Sequence, residues 1–182
     1  LGELAPLIAA NVKRDGETGV TFIEVTEDDE RGVRVKTAGS RRVIPVHPVL
    51  IRLGFLRLVE ERRGSDGDNA QLFPLLKPGP RGGYGEAWSK WFSRYIRGLG
   101  ILNGARVFHS FRHNFKDAVR AAGFDEDIND ALTGHRGGGV GRRYGAKDIV
   151  RRFGLPRLAE AVAAINYPGL DLSHLYVSEE RT

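Results

Sequence analysis

Strand-type and helix-type patterns are segregated along this chain, and that segregation constrains its fold most tightly. Short β-branched runs fall at residues 20–25, 33–36 and 41–46. Apolar residues recur at three- and four-residue spacing over residues 1–12 and again over 48–63, 86–97, 109–122, 125–133 and 156–165. Turn signals separate these segments, with RDGETG before the first strand and loops at 64–70 and 77–83. The pattern predicts an α+β, mainly α fold: a helical domain with a small three-stranded antiparallel sheet near the N-terminus. Residues 1–165 read as one domain and 166–182 as a C-terminal tail. Trp88, Trp91, Phe92 and Tyr95 cluster on one helix face and read as core.

Composition narrows the function. The 182 residues contain no Cys, which removes disulfide frameworks, thiolate zinc sites and cysteine nucleophiles and favours an intracellular location. No run approaches the roughly 20 apolar residues of a membrane span, and no leader stands at the start, so the chain reads as soluble and without a membrane partner. It also lacks Met, so its start is read as downstream of a translation start. The formal charge is +5, and the excess is local: residues 81–152 hold 14 Lys and Arg against 7 Asp and Glu. Such a bias suits a surface facing a polyanion, and equally a solvated basic face.

The chemistry-bearing residues lie on the helix over 109–122 and just beyond the next one. Phe111, Phe115, Ala118, Val119 and Ala122 form an apolar stripe, while His109, Arg112 and Lys116 line another face. An imidazole beside a guanidinium is costly in a core but suits a phosphate that accepts hydrogen bonds from both. Gly134-His135 is followed by a glycine-rich stretch carrying Arg136, Arg142, Arg143 and Tyr144. Four glycines within five residues do not form a stable helix, so Tyr144 is expected on a pliant basic segment. That segment is not a P-loop, because no Gly-Lys-Ser/Thr ends it. His109 and His113, with His135, have spacing open to zinc, but the helix lacks the glutamate a metalloprotease needs. Arg34 and Lys36 share one strand face, which puts Lys36 at the lip of a hairpin.

The order His109-x-x-Arg112, Gly134-His135, then Tyr144 nine residues later resembles the catalytic signature of tyrosine recombinases, phage integrases in particular. The stretch from Val35 through Lys36 to Arg41, Arg42 and Pro45 resembles that family's hairpin with its catalytic lysine. Leu1-Gly2-Glu3-Leu4 is similar to its Arg-x-x-Glu-Leu segment, and the ending YPGLDLSHL is similar to that of prophage integrases. The resemblance implies Tyr144 as nucleophile, Arg112, His109 and His135 on the scissile phosphate, and Lys36 as proton donor to the leaving 5′-oxygen. It implies DNA contacts from Arg41, Arg42, Lys116, Arg136, Arg142 and Arg143, with no metal or other cofactor. Its partners would be duplex attachment sites, a homotetramer on DNA, and accessory directionality and DNA-bending proteins, in the cytoplasm of a bacterial or phage-infected cell. Integration and excision of a prophage or mobile element would follow. The family's first arginine would precede Leu1, so the sequence reads as an N-terminally truncated catalytic domain. The tail would pack in cis or on a neighbouring protomer. Type IB topoisomerases share the chemistry, and a DNA-binding module without catalysis remains a third reading.

Overall fold

A tight turn starts the sheet. The Asp15 carboxylate accepts hydrogen bonds from the Thr18 amide (2.7 Å) and hydroxyl (2.6 Å), and Gly19 takes the left-handed backbone the reversal needs, at φ 70°. This turn joins β1 (Val12–Arg14) to β2 (Thr21–Val25), and β2 pairs antiparallel with β3 (Arg42–Pro45). The order is β1-β2-β3, with Val12 opposite Ile23 and Val25 opposite Arg42. The computed structural model describes residues 2–27, 41–79, 84–134, 150 and 152–178. The expected strand at 33–36, with Lys36, lies outside the described residues.

The stretch over 1–12 read as helix is not one, and its last residue, Val12, opens the sheet's first strand. Residues 2–6 form turns, Ala9–Asn11 a single 3-10 turn, and Val12 opens β1. Backbone pairing with a distant segment competes successfully here. Ala9 donates to the Ala70 carbonyl and Leu72 to the Leu7 carbonyl, both at 2.9 Å. Leu7, Ala9 and Val12 are then buried against Val59 and Leu72, so their helix-like spacing reflects burial of an irregular segment.

The helix expected at 48–63 is two: α1 (Pro48–Arg52) and α2 (Phe55–Asp66). His47 caps α1 by accepting from the Val49 amide through Nδ1 (3.0 Å), while its Nε2 lies 3.2 Å from the Ile165 carbonyl. Gly54 breaks the run with φ 87°, and a β-carbon there would sit 2.9 Å from Val177 Cγ1. The tail thus returns to its own chain: Val177 donates to the Arg52 carbonyl (3.0 Å), and the Arg52 guanidinium lies 4.6 Å from the Tyr176 ring centre. Helix α2 also runs past Gly64 into the expected loop and ends at Gly67.

Further helices among the described residues include α3 (Gly85–Gly98), α4 (Ser110–Ala121), α5 (Glu126–Thr133) and α6 (Leu155–Ala163). Val119, Leu132, Leu158 and Val43 join α4, α5, α6 and β3 in the main core. Among the described residues no helix is long and apolar enough to cross a membrane. The α3 aromatics depart from the core expectation. Trp88 and Phe92 meet Phe108 edge-on, but Trp91 and Tyr95 stack on each other at 5.2 Å and remain about half exposed.

The core assignment is testable by truncation. Leu158→Ala, at a fully buried site, is expected to lower unfolding free energy by about 2–5 kcal/mol. Leu75→Ala, at a fully solvated one, should change it by about 0.5 kcal/mol or less. Urea unfolding of both variants, with similar m values, checks this.

Candidate active site

The site is organised by the end of α5. Asp125 caps the start of that helix, accepting from the Ile128 amide at 2.9 Å, and Gly134 ends it in the left-handed region at φ 66°. The last carbonyls of a helix have no partner within it. Two arginines from distant parts of the chain fill that need. Arg42 Nε donates to the Leu132 carbonyl (3.0 Å), and Arg112 Nη2 donates to the Thr133 carbonyl (2.5 Å).

Arg42 is 4% exposed and also grips Glu3 with both ends of its fork, Nη1 to Oε1 at 3.0 Å and Nη2 to Oε2 at 2.7 Å. Where a DNA contact was expected, the structure places a guanidinium buried in the protein and bonded to the Leu132 carbonyl and Glu3. Lys116, also expected to meet DNA, has carboxylate neighbours. It lies 3.3 Å from Asp130 and 3.9 Å from Glu126, with little of its side chain exposed, and ties α4 to α5. Arg41 remains at the surface, in an ion pair with Glu27.

Of the catalytic residues that the resemblance implies, Arg112 and His109 are described. Arg112 is half-buried, and among the described residues it makes that one hydrogen bond, leaving Nε and Nη1 without a protein partner. His109 stands exposed at the start of α4, its ring 5.5 Å from that of His113 and perpendicular to it. The expected shared face of His109, Arg112 and Lys116 thus splits into an exposed imidazole, a guanidinium turned to the end of α5, and an ammonium held by carboxylates. His135, Arg136, Arg142, Arg143 and Tyr144, like Lys36, lie outside the described residues. Among the described residues no group of three or more His, Asp or Glu side chains is placed to hold a metal.

Glu3 completes the cluster. Its burial favours the neutral form, but the Arg42 hydrogen bonds and the charges of Arg42 and Arg112 outweigh that and hold its carboxyl below the ordinary glutamate value. Sequence reasoning placed Glu3 in a motif without giving it a partner. The burial of Arg42 had no local signal, because both of its ligands lie far away in sequence.

Comparison with protein-family models, curated proteins and solved structures returned no match.

The Glu3 shift has a sign. Its folded value lies below the unfolded one, so its contribution is complete above about pH 4.5 and is lost as pH falls through the folded value. Glu3→Gln should be less stable than the parent at neutral pH and lose less stability between about pH 5 and pH 3. Parallel urea-derived stability curves for the two chains would contradict the assignment.

Proposed function

We propose that this chain is the catalytic domain of a site-specific DNA recombinase of the tyrosine class. The observation that carries the reading is the junction of Arg112 with the end of α5. Arg112 is bonded to the Thr133 carbonyl, two residues before His135, and His109 lies one helical turn before Arg112. The Arg112 guanidinium is therefore held against the last residues of α5, 21 positions away in sequence, on the same helix whose start carries His109. The open donors of Arg112, Nε and Nη1, suit the non-bridging oxygens of a phosphodiester, whose charge grows in the transition state.

In this reading the Tyr144 oxygen attacks the scissile phosphorus, a phosphotyrosine bond forms, and the bond to the 5′-oxygen breaks. A histidine, His109 or His135, takes the phenol proton, which is needed because a tyrosine pKa near 10 makes the neutral side chain a poor nucleophile. Lys36 gives a proton to the departing 5′-oxygen. The 5′-hydroxyl of the partner strand later reverses the step, releasing Tyr144, so the bond energy is conserved without ATP. A homotetramer on paired duplex sites, with accessory DNA-bending proteins, provides the setting for exchange. Exposed Arg94, Arg97 and Arg106, on and after α3, supply a cationic surface for the duplex.

The test uses a pool of nicked duplexes of randomised sequence and a denaturing gel in the presence of EDTA. A covalent protein–DNA adduct that disappears in Tyr144→Phe is expected. Arg112→Ala should lower adduct formation by about a hundredfold or more while changing DNA affinity only by roughly threefold, since one phosphate contact among many supplies little of the binding. Equal losses in both would contradict the role of Arg112. Strand exchange, as against relaxation of supercoils alone, separates a recombinase from a topoisomerase. Binding without an adduct would leave only a DNA-binding module.

A further inference from the structure

Arg42 is the one charged side chain buried among the described residues, and nothing in the proposed chemistry uses it. Its contacts are not those of a general structural cation. Nε is fixed on the Leu132 carbonyl and the two Nη atoms on the two oxygens of Glu3, so three bonds define both the position and the plane of the fork. Arg112 takes the next carbonyl along, that of Thr133. Two guanidiniums are thereby indexed to consecutive carbonyls of one helical turn. The chain then passes directly over Arg42: a β-carbon on Gly134 would lie 2.9 Å from Nη1 and 3.1 Å from Cζ. His135 is the next residue.

We propose that Arg42 is a positioning residue of the phosphate site, holding Glu3 and the C-terminal turn of α5 in register with Arg112. The proposal rests on the recombinase reading for its function, and its geometry stands apart from it. A lysine keeps the charge but not the fork. One ammonium does not span the Leu132 carbonyl and both carboxylate oxygens in a single plane, so Arg42→Lys loosens the register while retaining the cation. Gly134→Ala perturbs the same contact from the other side, pressing on the Arg42 fork while removing no charged group. Misplacement of reacting groups by about 1 Å costs on the order of a hundredfold in rate, so the effect should appear in the chemical step.

Single-turnover cleavage at saturating DNA, DNA affinity and proton exchange of the Arg112 guanidinium are measured for the parent chain and both variants, at a temperature where thermal melts show each folded. The expected result is cleavage slowed by about 10- to 100-fold with affinity within roughly threefold, and faster Arg112 guanidinium exchange. Parental cleavage rates, or unchanged Arg112 exchange in either folded variant, overturn the proposal. A loss that instead tracks affinity or the unfolded fraction also overturns it, since that marks a purely structural role. If the parent forms no adduct, the recombinase reading fails, and Arg112 exchange alone decides whether Arg42 sets its position. If Arg42→Lys does not fold, Gly134→Ala carries the comparison.

Discussion

The last two carbonyls of α5 need partners, and meeting that need brings four separate parts of the chain together. A helix C-terminus carries partial negative charge on unpaired carbonyls, which favours cations at that end. Arg42 from β3 and Arg112 from α4 occupy consecutive carbonyls, and Glu3 from the N-terminal segment closes around Arg42. None of these partners is optional. Taking a guanidinium out of water costs several kcal/mol, and only a fully satisfied set of acceptors offsets it. Without Glu3, Arg42 would be a buried cation that had lost the carboxylate matching its charge.

The same arrangement divides labour between two chemically identical side chains. Arg42 spends its donors on protein, and its charge is matched by Glu3, whose carboxyl is held in the ionised form. Arg112 spends one hydrogen bond on the frame and, among the described residues, has no protein acceptor on its other two nitrogens. A guanidinium anchored at one corner and open at the others has already lost much of its rotamer freedom before an anion arrives. That preorganisation is what electrostatic catalysis requires of a donor, because nothing then needs to reorient as charge develops. In the proposed recombinase Glu3 would not simply repel the phosphate, since both of its oxygens face the Arg42 fork.

Much of the frame was readable locally. Asp125 before an apolar-periodic run, and Gly123 and Gly134 after the last helical residues, marked α4 and α5 to within about a residue, because caps act through neighbouring backbone groups. The Asp15 turn and the run at Arg42–Pro45 were equally local. What escaped was non-local. The segment before Val12 gave up helix for pairing with residues 70–72, and the helix after Pro48 broke at Gly54, where the tail lies close. At the site, the sequence distinguished neither the roles of Arg42 and Arg112 nor the fate of Lys116. Arginines facing a core, a ligand or water look alike in sequence; distant acceptors decide among them.

That distinction also redraws the charge map. The basic stretch over 81–152 appears in sequence as a uniform excess, but ion pairing sorts it. Lys116, Arg120 and Arg152 are matched to Asp117, Glu126, Asp127 and Asp130, which removes four of the seven acids of that stretch together with three of its cations. Among the described residues Arg94, Arg97 and Arg106 are exposed without an ion-pair partner, and they cluster on α3 and the segment leading to His109. Among the described residues the unmatched positive charge of that stretch therefore lies on α3 and the segment before α4, and not along α4 itself. Since exposed charges are screened beyond roughly 8 Å at physiological salt, a cation's distance from the scissile position matters more than the net count. The internal ion pairs that hold α4 against α5 thus have a second consequence: among the described residues they leave the unmatched cations on α3 and the segment before His109, and in the proposed recombinase those would face the duplex beside Arg112.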